Sequence, residues 1–328
     1  MLRHATNQSA PIPAQNYGRK SSPKNSPMVQ TTSRPEFRTR RGGIYCCNAE
    51  DFFQSPRARR YLGKIQLIFT SPPFPLNTKK AYGNLQGAEY TSWLAKFAPL
   101  FKQMLTPTGS IVLEMGNAWE PGQPVMSTLA LEGLLKFLKE GELKLAQQFI
   151  CYNPARLPSP AQWVNVERIR LKDSYTHLWW MAANERPYAD NRNVLKPYSS
   201  SMLKLLKTRK YNSGKRPSQH NIGEKSFLTN NSGAIPSNVL SFSNTGNGDP
   251  YQQYCRKHEL ELHPARMHTG LPEFFIKLLT KPGDTVLDPF AGSNTTGASA
   301  EKLKRRWIAI EATRDSVNAS VGRFTEER

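Results

Sequence analysis

The sequence predicts an α/β fold in which a mostly parallel sheet is covered by helices on both faces, and three observations carry that expectation. Short apolar runs alternate with amphipathic stretches between residues 44 and 184, the trace that parallel strands and their crossover helices leave in a chain. A loop of small residues near position 290 joins a strand to a helix and is followed by another strand. The 328 residues are 38% hydrophobic, enough for about two domains, or for one domain carrying a large insertion.

Taken in order, residues 44–47 form a short strand, followed by the polar turn Asn48-Ala49-Glu50 and a helical Phe52-Phe53. Residues 65–70, Ile-Gln-Leu-Ile-Phe-Thr, read as a strand buried on both faces and stopped by Ser71-Pro72-Pro73. A helix fits 89–104, where Trp93, Leu94, Phe97, Leu100, Phe101 and Leu105 recur near helical spacing; Thr106-Pro107-Thr108-Gly109 is its stop and turn. A strand over 110–115, a helix over 125–140, a strand over 145–152 and a last strand over 177–184 complete the run. The pattern then breaks. Residues 191–259 hold eleven Lys or Arg against three acids, and 19 of the 40 residues in 211–250 are Asn, Ser or Gly, which marks an insertion. A helix resumes over 272–279, Lys281-Pro282-Gly283-Asp284 turns the chain, and 285–288 is a strand.

Lys and Arg total 45 against 25 Asp and Glu, a formal charge of +20, so the expected partner is a polyanion. Residues 1–41 alone carry eight Lys or Arg and one Glu without apolar periodicity and read as a flexible basic tail, either touching nucleic acid or simply untethered. No apolar run approaches the ~18 residues of a membrane span, and the amino terminus lacks the apolar core of a secretory signal. The expectation is a cytoplasmic protein. Cys46, Cys47, Cys151 and Cys255 form no CxxC pair, which argues for reduced thiols and against disulfides or bound metal.

Two motifs carry chemistry. In the first, Asp288-Pro289-Phe290-Ala291-Gly292-Ser293-Asn294-Thr295-Thr296-Gly297 leads from strand to helix, and a second strand ends in Glu311. Such a loop lets backbone approach a nucleotide-like ligand while the terminal acid accepts from ribose hydroxyls. Asn294 stands where a three-glycine fingerprint has its middle glycine. Only 17 residues follow Glu311, too few to finish a sheet, so the missing strands must come from upstream in a circularly permuted arrangement. In the second motif, Thr70-Ser71-Pro72-Pro73-Phe74 ends a buried strand. The two prolines hold the preceding carbonyls in extended geometry. With the Ser71 hydroxyl and the Phe74 ring they suit a planar base whose exocyclic amino group must be held.

Together these residues resemble the amino-methyltransferases that act on DNA bases, in the permuted beta group where the TSPPF motif precedes the cofactor loop. A serine before Pro-Pro-aromatic resembles the cytosine-N4 enzymes; an aspartate is commoner in the adenine-N6 ones. His263-Pro264-Ala265-Arg266-Met267 with Leu271-Pro272-Glu273-Phe274-Phe275 is similar to the family's segment over the methionine end of the cofactor. The family's adenine-contacting acid is replaced here by Asn48.

The resemblance implies a Rossmann-like methyltransferase fold, S-adenosylmethionine as methyl donor and double-stranded DNA as substrate. It also implies a restriction-modification role beside a separately acting endonuclease. Ser71, Pro72, Pro73 and Phe74 would be catalytic. Asn48, Thr70, Arg266, Met267, the loop from Asp288 to Thr296, and Glu311 would hold the cofactor. The division is then a tail over 1–41, a catalytic half over 42–190, a target-recognition insertion over 191–259 and a cofactor-binding half over 260–328. Lys204, Lys207, Arg209, Lys210, Lys215 and Arg216 open that insertion as candidate DNA contacts. Covalent cytosine-C5 chemistry is disfavoured, since no cysteine follows a proline. Adenine-N6 methylation and a non-catalytic nucleic-acid-binding role are the alternatives.

Overall fold

The computed structural model describes residues 34–74, 85, 87–243 and 249–324. Its strands are Phe37–Arg38 (β1), Gly42–Cys46 (β2), Ile65–Thr70 (β3), Leu105–Gly116 (β4), Lys144–Tyr152 (β5), Tyr175–Ala182 (β6), Gly214–Lys215 (β7), Asn221–Ile222 (β8), Val239–Ser241 (β9), Thr285–Asp288 (β10) and Arg306–Glu311 (β11). A nine-stranded sheet runs in the order β1-β2-β11-β10-β3-β4-β6-β5-β9, and β7 pairs only with β8. From β2 to β4 every neighbour is parallel, while β6 lies antiparallel between β4 and β5. The late strands β10 and β11 therefore sit inside the sheet between early ones, which is the permuted arrangement expected from the short carboxyl-terminal remainder.

All six residues of β3 are buried, because the strand is covered on both sides. Ile65 and Ile68 face a core shared with Gly87–Met104 (α2) and Leu129–Gly141 (α3), built around Phe97, Phe101 and Phe137. Leu67 and Phe69 face the opposite core, where Gly270–Leu279 (α6) brings Phe275 and β11 brings Trp307. The remaining helices are Ala49–Gln54 (α1), Ser200–Thr208 (α4), Pro250–Lys257 (α5), Thr295–Lys302 (α7) and Arg314–Ser320 (α8).

Four sequence expectations change. The supposed tail is ordered at its end: β1 pairs with β2, and the Thr39 hydroxyl donates to Glu301 at 2.5 Å. Residues 1–33 lie outside the described residues. Thr106-Pro107-Thr108-Gly109 does not turn the chain. It forms an irregularity within β4, since the partner of Ile65 is Leu105 and that of Leu67 is already Ser110. Gln66 satisfies the displaced groups, donating to the Thr108 carbonyl at 3.0 Å and accepting from Thr106 Oγ1 at 2.7 Å. Helix α3 starts at Leu129 and not at 125, because Met126 bridges Trp119 and the Ser127 amide donates to Ala118, keeping that segment extended. Finally, the segment over 191–259 is not wholly outside the sheet, for β9 adds to its edge in parallel with β5.

Candidate active site

The carboxyl ends of β2, β3, β4, β5, β10 and β11 and the amino end of β6 meet in a cleft of about 760 Å³, where the topology of open α/β sheets places ligands. One wall is the loop after β10. Asp288 is 4% exposed; its Oδ1 accepts from Thr70 Oγ1 at 2.6 Å and from the Phe290 amide at 3.1 Å. Burial pushes its pKa up to about 6, against the opposing hydrogen bonds from Thr70, Thr296 and Phe290. Asp288 thus anchors the loop to the end of β3. Thr70 is wholly buried and acts through this bond, so it is a support for the cleft and not one of its lining residues.

Glu311, at the end of β11, accepts from the Gly292 amide at 2.9 Å and from the Thr313 amide at 2.8 Å. Each carboxylate oxygen keeps a lone pair for a ligand hydroxyl. Gly292 has φ +51°, and a Cβ there would stand 3.0 Å from the His263 ring, so the backbone must be bare at this point. Pro289, Phe290, Ala291, Ser293, Thr295 and Thr296 line the same wall. Asn294 does not. It takes the left-handed conformation (φ 58°, ψ 39°) just before α7, and its fully buried amide has no hydrogen-bond partner. A Cβ on Gly297 would fall 2.2 Å from its Oδ1, so the side chain that the sequence assigned to cofactor contact is turned into the protein.

Across the cleft stand Ser71, Pro72, Pro73 and Phe74. Phe74 packs where a side chain at position 116 would be: a Cβ on Gly116 would lie 2.6 Å from its ring. Beside them is an acid that sequence reasoning passed over. Glu114, near the end of β4, accepts from Thr176 Oγ1 at 2.9 Å and stands beside Ser71, whose hydroxyl favours its charged form. Withdrawal from water raises its pKa above the usual carboxylate range, and these two hydroxyls and the nearby Arg156 cation work the other way. The available signal was a lone charge inside the apolar strand Ser110-Ile111-Val112-Leu113-Glu114-Met115.

At the other end, Asn48 is exposed on the cleft edge and donates to Asp51 at 3.3 Å. Glu50, also on the lining, accepts from Trp93 Nε1 at 2.6 Å, and Trp93 packs on Phe290 with ring centroids 5.6 Å apart. Arg266 and Met267 close the rim, and His268 stacks on Phe242 at 5.0 Å. Cys151 is half-buried on the cleft wall, and burial pushes its thiol pKa up to about 12. Lys204 and Lys207 on α4, Arg209 at its end, Lys210 and Lys215 are exposed, and Arg216 donates to the Asn212 carbonyl at 2.7 Å. None of these six lines the cleft.

A bare-backbone loop, a helix start and a strand-end carboxylate fit a nucleoside carrying a charged amino-acid tail, such as S-adenosylmethionine. The profile of the DNA methylases matches residues 65–321. The chain belongs to the DNA methylase family. It is 40% identical over 301 residues to the type II methyltransferase M.PvuII of Proteus hauseri, covering 91% of this chain and 88% of that one. A shorter similarity, 42% over 65 residues, links it to the type II methyltransferase M2.DpnII of Streptococcus pneumoniae, covering 20% and 24% of the two chains. Among solved structures, the PvuII DNA methyltransferase (cytosine-N4-specific) matches with a TM-score of 0.72 and 34% identity over 90% of both chains. The M1.HpyAVI-SAM complex, 21% identical and covering 86% and 98%, shares the fold at a TM-score of 0.51. This methylase therefore has the Rossmann-like methyltransferase fold that the two motifs implied. No helix among its described residues is long and apolar enough to cross a membrane.

Proposed function

We propose that this chain transfers the methyl group of S-adenosylmethionine to the N4 amino group of a cytosine turned out of duplex DNA. The observation that carries this reading is the meeting of Ser71, Pro72 and Glu114 on one wall of the cleft, with the Ser71 hydroxyl favouring the charged form of Glu114. Because the Ser71 hydrogen is committed to Glu114, the Oγ lone pairs are left facing an incoming amino group. Ser71 Oγ and the Pro72 carbonyl each accept one N4 hydrogen, which draws the nitrogen lone pair out of ring conjugation. Phe74 stacks on the base and offsets part of the few kcal/mol that flipping costs. S-adenosylmethionine, when bound, supplies an electrophilic methyl group on sulfonium sulfur. As the nitrogen gains that methyl, it must lose a proton; Ser71 Oγ takes it while passing its own to Glu114, whose raised proton affinity suits the task. Alignment and electrostatics supply the rate, with no covalent enzyme intermediate.

The 40% identity to M.PvuII and the match to the structure of the cytosine-N4-specific PvuII DNA methyltransferase support the choice of cytosine. On this reading Glu311 holds the ribose, the Gly292 to Thr296 amides meet the methionine carboxylate, and the 191–259 segment reads the target. Lys204, Lys207, Arg209, Lys210, Lys215 and Arg216 then face phosphate. A type II relative also favours a cytoplasmic protective role beside a separate endonuclease. Incubation with plasmid DNA and methyl-labelled S-adenosylmethionine tests the reading: label enters the DNA, and unlabelled DNA despite intact cofactor binding would contradict it.

A further inference from the structure

Behind the cofactor loop lies a buried cation that the reaction as described does not use. Arg323 follows α8, and its side chain is only 4% exposed. Nε donates to the Ser293 carbonyl at 2.7 Å and Nη2 to the Ser293 hydroxyl at 2.9 Å. Nη1 lies 3.5 Å from Asp249 Oδ2, and the guanidinium sits 4.5 Å over the Tyr251 ring. Asp249 caps α5 through the Tyr251 amide, and the Tyr251 hydroxyl accepts from the His263 amide at 3.1 Å. His263 in turn is the residue that a side chain at Gly292 would strike. A closed circuit thus runs from Ser293 through Arg323, Tyr251 and His263 back to Gly292, with Arg323 as its only cation.

The circuit has a chemical consequence. Ser293 turns its carbonyl and hydroxyl oxygens backwards, to Arg323, and its hydroxyl also pairs with Thr295 Oγ1 at 3.3 Å, so what remains for the cleft is its main-chain N–H at the approach to α7. A planar fork that grips two oxygens of one residue fixes both the position and the rotation of that peptide unit, which a lysine ammonium cannot do. The opposite end of the cleft is built from Asn48 and Glu50 at the start of α1. We infer that Arg323 is a positioning residue for the methionine end of the cofactor site, reached from the helix that closes the 191–259 segment. This rests on the reading of the cleft as an S-adenosylmethionine site.

The test compares two ligands of the full-length protein by calorimetry. S-adenosylmethionine has the aminobutyrate chain; 5′-methylthioadenosine keeps the nucleoside and lacks that chain. Arg323→Lys should weaken S-adenosylmethionine about tenfold, the scale of one charge-assisted hydrogen bond, and change methylthioadenosine affinity less than about twofold. Equal weakening of both ligands, or of neither, would overturn the inference. Failure of the unsubstituted protein to bind S-adenosylmethionine would instead remove the cofactor reading beneath it. Should Arg323→Lys not fold, Ser293→Ala removes one of the two gripped oxygens and should show the same selectivity at smaller size; its absence counts equally against the role.

Discussion

Ser71, just after β3, and Glu114, near the end of the neighbouring strand β4, stand together on the cleft wall, where the Ser71 hydroxyl stabilises the Glu114 carboxylate against its burial. The pair joins a residue chosen for its proline context to one that looks, in sequence, like a misplaced charge in a strand. A hydroxyl with its hydrogen so committed can only accept at its remaining face. On the proposed reading, Ser71 is then an acceptor for an amino group, with an exit for the proton the amino group must shed.

Glu114→Gln keeps the shape and removes the proton acceptor, so kcat should fall about a hundredfold with S-adenosylmethionine affinity little changed. The wild-type rate should also decline on the acid side, below the raised pKa of Glu114, as its base form is lost. The dependence of steady-state kcat on pH checks both, and the acid limb should vanish in the variant.

Ser71→Ala should reduce turnover while leaving DNA affinity nearly unchanged. Combined with Glu114→Gln it should cost scarcely more than either change alone, because the two act as one unit. Single-turnover rates of the four proteins measure this, and additive losses would separate the two residues.

Gly116→Ala would place a methyl group where the Phe74 ring now lies. The ring must move, so turnover on DNA should fall about tenfold for a displacement of this kind, while cofactor binding at the far wall persists. Parallel kcat and calorimetric measurements distinguish this local effect from misfolding.

Asp288 has a folded pKa of about 6, above the ordinary carboxylate value, so the folded state holds its proton to higher pH than the unfolded state does. Its contribution is then fully present below the unfolded pKa and is lost as pH rises through about 6. Compared with Asp288→Asn, the wild type should lose about 1 kcal/mol of stability between pH 5 and 7. Urea unfolding at the two pH values tests the sign.

Lys204 and Lys207 are exposed on one helix. Replacing both with Ala should flatten the slope of log binding constant against log salt by about 2. An unchanged slope would place the DNA elsewhere.

Much of this molecule was legible in the sequence because its strands are short, apolar and bounded by strong stops. Residues 65–70 and 285–288 are strands as expected, each fixed by burial on both faces. The misreadings come from contacts that a local pattern does not contain. Thr106 to Gly109 look like a turn until Gln66 supplies their hydrogen bonds, and Asn294 looks like a ligand contact until Gly297 makes room for its amide inside. Glu114 showed only as a lone charge in an apolar strand, and Arg323 gave no local signal. What each one does depends on a residue far away in the chain, Ser71 for the first and Ser293 for the second.

The central claim is the chemistry of the acceptor, and the nucleoside product tests it most directly. DNA methylated by the purified protein is digested to nucleosides and the labelled species is identified by mass spectrometry. The account predicts N4-methylcytidine in its deoxy form. Label in N6-methyldeoxyadenosine would contradict it, keeping the fold and the cofactor loop but overturning the role given to Ser71 and its choice of base.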